Sequence, residues 1–339
     1  MAIRMKDIAA DLGVSVMTVS KVLRNEGRIS ATMRARVLER VKELGYHPNL
    51  TARGLVSGRS FLVGLVVPDL TRPFFAAMAK FISRKLRSKG YGLAISYSEE
   101  DPEVERREIS TFVARGVDAL ILASSQRSGS AAIFKQLKSE GLPYVLADRL
   151  IPGLKAHFVG SDDEAIGSMA TGHLIERGYR RIAHIRGPAT STGESRSQGY
   201  RDTLRRHQFA SSDELVVNTE SADDRGEQCG LEAMQKLLSL KHRPDAVFCY
   251  NDILAYGALK AIFEAGLKVP EDIALIGVSN LASLLFWDAS PVALTTIDQG
   301  VGHLADLIAN LVLDLVEHGP RPQPERILVP PTLVVRGST

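Results

Sequence analysis

The sequence predicts a small all-α head followed by a larger α/β body made of two doubly wound parallel-sheet subdomains. Three observations lead to this prediction. The chain has 339 residues, more than one ordinary domain contains. The first sixty residues carry the apolar spacing of short helices. From Phe61 onward, short runs of Val, Ile and Leu alternate with longer helical patterns, which is typical of parallel sheets.

Three helices are expected in the head, residues 1–48. The first is indicated by four apolar residues on one helical face, Met5, Ile8, Ala9 and Leu12. Gly13 ends it, and Ser15 is a good N-cap for the second helix. The second helix is expected to bury Val19, Val22 and Leu23. Ser30 caps the third helix, whose apolar stripe is Met33, Val37, Val41 and Leu44.

A helix, a Gly-Val-Ser turn and a second helix form the layout of a helix-turn-helix, whose second helix enters the major groove of DNA. Lys21 can donate to guanine O6 and N7, whereas Val16 and Met17 can contact a thymine methyl. The hydroxyls of Thr18 and Ser20 suit phosphate oxygens. The alternative is a three-helix bundle of the same outline that contacts no DNA.

Charge is concentrated in this head. Residues 1–60 contain eleven Lys and Arg against five Asp and Glu, although the whole chain has a net charge of only +3. The remainder is therefore slightly acidic, and the asymmetry favours a head that meets a polyanion. A solvated basic face is the alternative. Three arginines can add contacts to the DNA backbone: Arg24, Arg28 and Arg34.

The body alternates strands and helices. Nine strands are predicted, at 61–67, 92–96, 119–123, 144–147, 158–160, 182–185, 246–250, 274–278 and 294–297. Eight helices are predicted near 74–89, 102–115, 130–140, 163–177, 197–208, 225–239, 252–265 and 300–317. The number of strands favours two sheets. The proline-rich run 320–324 is expected to be a loop or crossover.

Several classes of protein are disfavoured by the sequence. No apolar stretch approaches ~20 residues and the N-terminus has no apolar signal region, so neither a membrane span nor export is expected. Cys229 and Cys249 stand outside any C-x-x-C spacing and suit a reducing compartment. The common nucleophile, phosphate-loop, dinucleotide and zinc-protease motifs do not occur, so no enzyme, cofactor or metal site is expected.

Short motifs follow one another along nearly the whole chain. In the head they are Met5-Lys6-Asp7-Ile8-Ala9, Gly13-Val14-Ser15, Thr18-Val19-Ser20 and Leu44-Gly45-Tyr46. In the body they include Val63-Gly64-Leu65, Pro73-Phe74-Phe75, Gly116-Val117-Asp118, Asn251-Asp252 and Leu294-Thr295-Thr296-Ile297. In this order of motifs the chain resembles the LacI/GalR family of bacterial repressors.

The resemblance implies a hinge helix in the segment 49–59, which folds when a dimer sits on its operator. Leu55 occupies the position of the leucine that wedges into the minor groove. Gly54 departs from a good helix former and costs about 1 kcal/mol there, so we expect the hinge to be disordered without DNA. The full set of candidate DNA contacts is Lys6, Ser15, Val16, Met17, Thr18, Ser20, Lys21, Arg28, Asn49, Ala52, Arg53 and Leu55.

The resemblance also implies a body, residues 60–339, of the periplasmic-binding-protein type. Two subdomains joined by three crossovers would hold a ligand in the cleft between them. The expected N-subdomain comprises about 60–160 and 293–323, and the expected C-subdomain about 161–292 and 324–339.

Ligands of open α/β sheets bind beyond the carboxyl ends of the strands, and polar or aromatic residues stand there in this sequence. Candidate effector contacts are Phe74, Phe75, Asp148, Arg196, Asn251, Ser279, Trp287 and Gln299. Arg196 matches the family's ligand arginine. Each candidate also has a purely structural explanation. One of the two phenylalanines would pack in the core, Asp252 would cap its helix, and Trp287 would pack against its neighbours. The run Asp162-Asp163-Glu164, which also resembles a site, would be an acidic helix start.

Ser279 is the main departure from the family, which often has an aspartate at this position. The effector is then less basic or less rich in hydroxyls, or Asn280 or Trp287 compensates. A sugar, sugar acid or polyol is the first expectation for the effector, and a purine the second.

Together, these expectations predict a repressor of carbohydrate-related genes that responds to a small ligand. It would act in the cytoplasm as a homodimer and bind a near-palindromic operator. The alternative of a transport-type sugar-binding protein explains the body but not the basic head. A tetramerising tail of leucine heptads is not seen after Arg336, which favours a dimer.

Overall fold

The computed structural model describes residues 3–23, 26–46, 58–126, 132–209, 212–219, 226–285 and 291–339. Contacts within the chain divide it into two units, residues 1–60 and 61–339, which correspond to the head and the body. No described helix is both long enough and apolar enough to span a bilayer.

The head contains the three expected helices, which we label α1 (Met5–Leu12), α2 (Val16–Leu23) and α3 (Ala31–Glu43). They enclose a small core of buried residues, Ile8, Ala9, Val19, Val22 and Val37. Ser15 caps α2 by accepting a hydrogen bond from the Thr18 amide at 3.1 Å, and Ser30 caps α3 through the Met33 amide at 3.3 Å. Gly13 adopts the left-handed backbone conformation that closes α1. The predicted caps and helix spacing are therefore confirmed.

The strand count predicted two sheets, and the body contains two, each with six strands. The strands are β1 (Leu62–Val67), β2 (Gly92–Tyr97), β3 (Ala119–Leu122), β4 (Tyr144–Ala147), β5 (His157–Ser161), β6 (Ile182–Arg186), β7 (Val216–Asn218), β8 (Ala246–Cys249), β9 (Ala274–Val278), β10 (Thr295–Asp298), β11 (Arg326–Val329) and β12 (Thr332–Val334). The order in the first sheet is β11-β5-β4-β3-β1-β2, and in the second β12-β10-β9-β8-β6-β7. All pairings are parallel except that of β12 with β10.

Helices cover both faces of each sheet. They are α4 (Pro73–Ser88), α5 (Pro102–Ala114), α6 (Ala132–Ser139), α7 (Asp163–Glu176), α8 (Ser191–Arg206), α9 (Gly226–Leu238), α10 (Asp252–Glu264), α11 (Leu281–Leu285) and α12 (Val301–His318). On the first sheet, α4 and α12 share one apolar core, and α5 and α6 share the other. On the second sheet, α9 and α10 pack on one face, and α7 and α8 on the other. This is the doubly wound arrangement that alternating strands and helices predicted.

The chain crosses between the sheets three times. The first crossing follows β5, the second follows β10, and the third runs through Pro330 and Pro331 between β11 and β12. The boundaries predicted at 292/293 and 323/324 were therefore wrong by several residues. β10 pairs with β9 of the second sheet, and β11 pairs with β5 of the first. A short apolar run does not reveal which sheet it joins, because that depends on neighbours distant in sequence.

Two further predictions need correction. The helix expected near 197–208 begins at Ser191, capped by the Thr190 hydroxyl, so Arg196 lies within a helix rather than before one. The strands β7, β11 and β12 were not predicted. They are short and lie at sheet edges, where most of their side chains are exposed or half-buried, so they lack the continuous apolar run of a central parallel strand.

Helices α7 and α8 approach each other unusually closely through two glycines. A methyl group built on Gly167 would lie 2.0 Å from the carbonyl oxygen of Arg196, and one on Gly199 would lie 2.1 Å from that of Glu164. The obstructing atoms belong to rigid helical backbone, so either methyl would force the helices apart. Gly230 and Gly257 join α9 and α10 in the same way.

We predict that Gly167→Ala lowers the free energy of unfolding by about 1–3 kcal/mol because it overpacks the contact between α7 and α8. Gly172→Ala is the matched control. Gly172 lies in the same helix, but its methyl would meet nothing within 4 Å, so alanine there should be neutral or stabilising by up to about 1 kcal/mol. Urea denaturation of the two variants measures the difference. Equal stability of the two proteins would contradict the proposed close packing.

Candidate functional site

In the head, the start of α2 presents apolar side chains to solvent. Val16 is 44% exposed and Met17 62%, although Val19 and Val22 of the same helix are buried. Lys21 is exposed one turn further along, and the Ser15 and Thr18 hydroxyls contact each other at 2.9 Å. Exposed Val and Met are costly without a partner surface, so this end of α2 is the candidate nucleic-acid interface.

The other predicted DNA contacts divide into two groups. Lys6 and Arg28 are exposed, whereas Thr18 and Ser20 are half-buried. The hinge residues Asn49, Ala52, Arg53 and Leu55, together with Arg24, lie outside the described residues. The hinge therefore stays a prediction.

In the body, the structure brings seven of the eight predicted effector contacts to one cavity between the two sheets. They are Phe74, Phe75, Asp148, Arg196, Asn251, Ser279 and Gln299. The eighth, Trp287, lies outside the described residues. We call this space the inner cavity. Its other lining residues are Arg72, Pro73, Arg149, Tyr250, Ile253 and Leu281, and its volume is about 50 Å³.

Arg196 is buried and held rigidly in the cavity wall. Its Nε donates to the Asp163 carboxylate at 2.8 Å, and Nη1 donates to the Tyr250 carbonyl at 2.8 Å. The guanidinium carbon lies 4.6 Å from the centre of the Tyr250 ring, in cation–π geometry. Burial raises the pKa of Asp163, and the Arg196 guanidinium opposes that effect. Sequence reasoning assigned Asp163 only to a helix start, so its pairing with Arg196 was missed.

A second buried ionic group lies on the opposite wall. Arg149 donates from both terminal nitrogens to Glu100, at 2.6 and 2.7 Å, and Arg72 donates to the same carboxylate at 2.9 Å. The two guanidinium groups keep the pKa of Glu100 below its usual value despite burial. Such bidentate pairing fixes the plane of the Arg149 guanidinium at the cavity.

Asp148 is buried beside this group, and its backbone φ of +65° aims the residue out of the end of β4. Its nearest described cation is Arg149, whose Nε lies 4.0 Å from the carboxylate. Burial raises the pKa of Asp148, although Arg149, Arg196 and Arg72 act in the opposite direction. A carboxylate in this setting can accept hydrogen bonds from ligand hydroxyls.

Asn251 takes the capping role that sequence reasoning gave to Asp252, and it also lines the inner cavity as predicted. Asn251 caps α10 by accepting from the Leu254 amide at 2.9 Å, so Asp252 is not the cap. Asp252 instead accepts from the Thr296 hydroxyl at 2.6 Å and from the Leu281 amide at 2.8 Å. Burial raises the pKa of Asp252 to about 6. This carboxylate therefore fixes the loop after β9, which carries Ser279.

Ser279 has an unusual backbone φ of +113° and donates to the Gln299 side-chain oxygen at 3.1 Å. Gln299 in turn donates to the Ser161 hydroxyl at 3.2 Å, which ties together the first and second crossings. Asn280 cannot take the place of the missing aspartate. Its amide donates to Asp298 at 2.8 Å and accepts from Arg336 at 2.6 Å, so its polar atoms are already engaged away from the cavity.

As expected, one of the two phenylalanines packs in the core and the other lies at the cavity. Phe75 is only 3% exposed and belongs to the first-sheet core, whereas Phe74 is half-buried at the cavity. Their rings contact edge to face, with centroids 5.4 Å apart. Phe74 therefore offers an apolar surface on which a ligand ring can pack.

A larger space, which we call the outer cavity, adjoins the inner one at Arg149 and has a volume of about 850 Å³. Its wall is rich in hydroxyl, amide and charged groups, contributed by Glu100, Ser124, Ser125, Gln126, Arg186, Thr190, Ser191, Glu194, Ser195, Asn218 and Thr219. Sequence reasoning missed this set, because β7 and the start of α8 were not predicted. The signal available was the position of these residues after β3 and β6.

The two subdomains are in direct contact beside this cavity, because the Leu150 amide donates to the Ser191 hydroxyl at 2.8 Å. Among the described residues, no cluster of His, Cys, Asp and Glu has the arrangement of a metal site. The cleft thus presents polar side chains from both subdomains to a small organic molecule.

Comparison with known proteins gives consistent results for both units. A family model for bacterial regulatory proteins of the lacI family matches residues 4–49, and one for a periplasmic binding protein-like domain matches residues 171–339. The chain is 32% identical to the HTH-type transcriptional regulator DegA of Bacillus subtilis, covering 98% of this chain and 97% of DegA. It is 34% identical to the HTH-type transcriptional regulator GalR of Escherichia coli K12, covering 98% and 94%.

Solved structures show the same fold. A complex of the transcriptional regulator CelR with cellobiose is 28% identical, with a TM-score of 0.73 over 99% of this chain and all of that one. The Lac repressor dimer bound to operator and the anti-inducer ONPF has a TM-score of 0.81 at 24% identity, covering all of this chain and 99% of the repressor chain.

We predict that Arg196→Met lowers the free energy of unfolding by about 3–5 kcal/mol, because it leaves the buried Asp163 carboxylate without its cation. Replacing both partners, as in Arg196→Met with Asp163→Leu, should restore most of the loss, since no uncompensated charge remains. Arg205→Met on the exposed side of α8 is the control and should change little. Urea denaturation of the four proteins provides the test. A double variant as unstable as the single one would contradict the ion-pair account.

Proposed function

The chain belongs to the LacI family of bacterial transcription regulators, and from this we propose that it is a homodimeric repressor controlled by a small carbohydrate-related effector. The head binds DNA through α2, and the body binds the effector in the cleft that contains the inner and outer cavities. The exposure of Val16 and Met17 at the start of α2 carries the DNA-binding part of this proposal. We assign no enzymatic role and place the protein in the cytoplasm, where its operator is.

The proposed dimer uses the edge of the first sheet. β2 pairs only with β1 among the described strands, and two of its large side chains, Ile95 and Tyr97, are 43% and 49% exposed. Helix α4 packs beside this strand. An exposed apolar edge strand promotes aggregation, and packing against a second copy of the chain covers it. Two heads brought together by this contact would read two half-sites of a near-palindromic operator.

The coupling we propose follows from the position of the cleft. An effector that contacts both subdomains binds better when the cleft is closed, so it shifts the population of body conformations. That shift alters how the two heads are spaced and hence their affinity for DNA. A sugar, sugar acid or polyol fits the polar wall of the cleft, since hydroxyls can pair with Asp148, Arg196 and Asn251.

We predict that Lys21→Ala weakens binding to the protein's own upstream DNA by about 10- to 100-fold, the range for losing one base contact. Its binding to random DNA should weaken much less. Lys42→Ala on α3 removes the same charge away from α2 and is the control. Fluorescence anisotropy with both DNAs measures the effects. An equal loss on both DNAs would show that Lys21 contacts phosphate, and unchanged specific binding after deletion of residues 1–58 would overturn the proposed function.

We also predict opposite effects of Asp148→Asn on stability and on effector binding. Removing a buried negative charge should leave the melting temperature unchanged or raise it, whereas losing an acceptor for ligand hydroxyls should weaken effector binding about tenfold or more. Asp202→Asn on the surface of α8 is the control. Thermal shift with D-ribose, cellobiose, D-glucitol, D-gluconate and D-galacturonate identifies the effector class, and calorimetry gives the affinities. Unchanged affinity of the Asp148 variant would remove this residue from the site.

A further inference from the structure

The outer cavity is the part of the cleft with room for the bulk of an effector. The inner cavity holds about 50 Å³ and the outer about 850 Å³, and a pocket for a small organic ligand requires several hundred. Arg149 lines both cavities and so marks where they meet. The chemistry of the outer wall therefore decides which compounds the cleft accepts.

We propose that the effector is a carboxylated polyhydroxy compound, of the sugar-acid class, whose carboxylate binds between Arg149 and Arg186 in the outer cavity. This inference rests on the proposed function, since it names the ligand of the same cleft. Arg149 follows β4 of the first sheet and Arg186 ends β6 of the second. The two cations therefore face the same cavity from opposite subdomains.

Each of these arginines keeps one N–H that makes no hydrogen bond to a described residue, although that of Arg149 lies 4.0 Å from the Asp148 carboxylate. The Nε atoms of Arg149 and Arg186 are buried and have no hydrogen-bond acceptor among the described residues. Arg149 uses its terminal nitrogens on Glu100, and Arg186 uses its own on Glu194 and, at 3.4 Å, on Asn218. A buried charged donor without an acceptor is costly. A carboxylate has two oxygens, and each can accept a hydrogen bond from one such donor.

The protein carboxylates at these arginines differ in how firmly they are held. Glu100 is bound by both Arg72 and Arg149 and is only 25% exposed, so it stays in place. Glu194 lies in the first turn of α8, is 59% exposed, and contacts Arg186 alone among the described cations. The Arg186 side chain is only 15% exposed, but the Glu194 carboxylate reaches solvent, which weakens the attraction between the two. A ligand carboxylate can therefore displace Glu194 from Arg186.

The remaining wall suits the hydroxyl groups of such a ligand. Ser124, Ser125, Thr190, Ser191 and Asn218 supply donors and acceptors around the same cavity. The two arginines belong to different subdomains, and each is paired with a carboxylate of its own subdomain. A ligand carboxylate that contacts both arginines joins the subdomains, which links the charge of the effector to closure.

The test compares acids with their neutral counterparts on the full-length protein: D-glucuronate with D-glucose, D-galacturonate with D-galactose, and D-gluconate with D-glucitol, by titration calorimetry. At least one acid should bind tenfold or more tightly than its neutral partner. D-glucose 6-phosphate is included to separate a carboxylate from a phosphate ester. Tighter binding of a neutral partner or of the phosphate, or no binding by any acid, overturns the proposal.

Two substitutions with opposite expected signs sharpen the test. Arg186→Met should weaken binding of the acid at least tenfold, and by a larger factor than it weakens binding of any neutral sugar, and Arg186→Lys should fall between Met and the wild type. Glu194→Gln should strengthen binding of the acid several-fold, because it removes a competing carboxylate. Arg205→Met is the control and should change nothing. Melting temperatures establish that each variant is folded.

Failure of this inference is distinguishable from failure of the proposed function. If a neutral sugar binds and alters the affinity of the protein for its own upstream DNA, the carboxylate proposal is wrong and the repressor proposal stands. The same holds if Arg186→Met binds the acid as tightly as the wild type. If the protein does not bind that DNA at all, the proposed function itself fails.

Discussion

The buried contact between Arg196 and Asp163 is the constraint on which the arrangement of the cleft depends. It joins the first turn of α7 to α8, while Gly167 and Gly199 let the two helix backbones come within van der Waals contact. The same guanidinium donates to the Tyr250 carbonyl, so it also positions the loop that carries Asn251. One ionic group thus positions two of the segments that line the inner cavity, α8 at Arg196 and the loop at Tyr250 and Asn251. The Arg196 guanidinium stays charged at this depth because the equally buried Asp163 carboxylate compensates its charge.

Much of the fold followed from local patterns in the sequence. Local sequence determines the caps Ser15 and Ser30, the apolar spacing of the head helices and the nine predicted strands. Each has a physical cause within a few residues of where it acts. The crossings between the sheets, the short edge strands and the early start of α8 did not follow. Each depends on which distant segment a strand or helix meets, as β10 with β9 and β11 with β5 show.

In the candidate site, too, some residues could be predicted from local sequence and others could not. The rule that ligands bind beyond the carboxyl ends of parallel strands brought Asp148, Asn251 and Gln299 to attention, and the structure places them around one cavity. Their partners were out of reach of that rule. Asp163 was expected only at an acidic helix start and Glu100 was not singled out, although each faces a buried arginine. Arg186 was overlooked because nothing in a single strand end distinguishes a ligand-facing arginine from a solvated one.

The third crossing, through Pro330 and Pro331, has a mechanical consequence. Each proline fixes one backbone dihedral and donates no hydrogen bond, so this connection resists bending. The other two crossings are tied to each other by Gln299 and Ser161. The halves of the body are therefore joined by one stiff connection and by two connections that share a hydrogen bond. A shift at either of the first two crossings is passed to the other through the Gln299–Ser161 contact, while the proline connection keeps the spacing of β11 and β12.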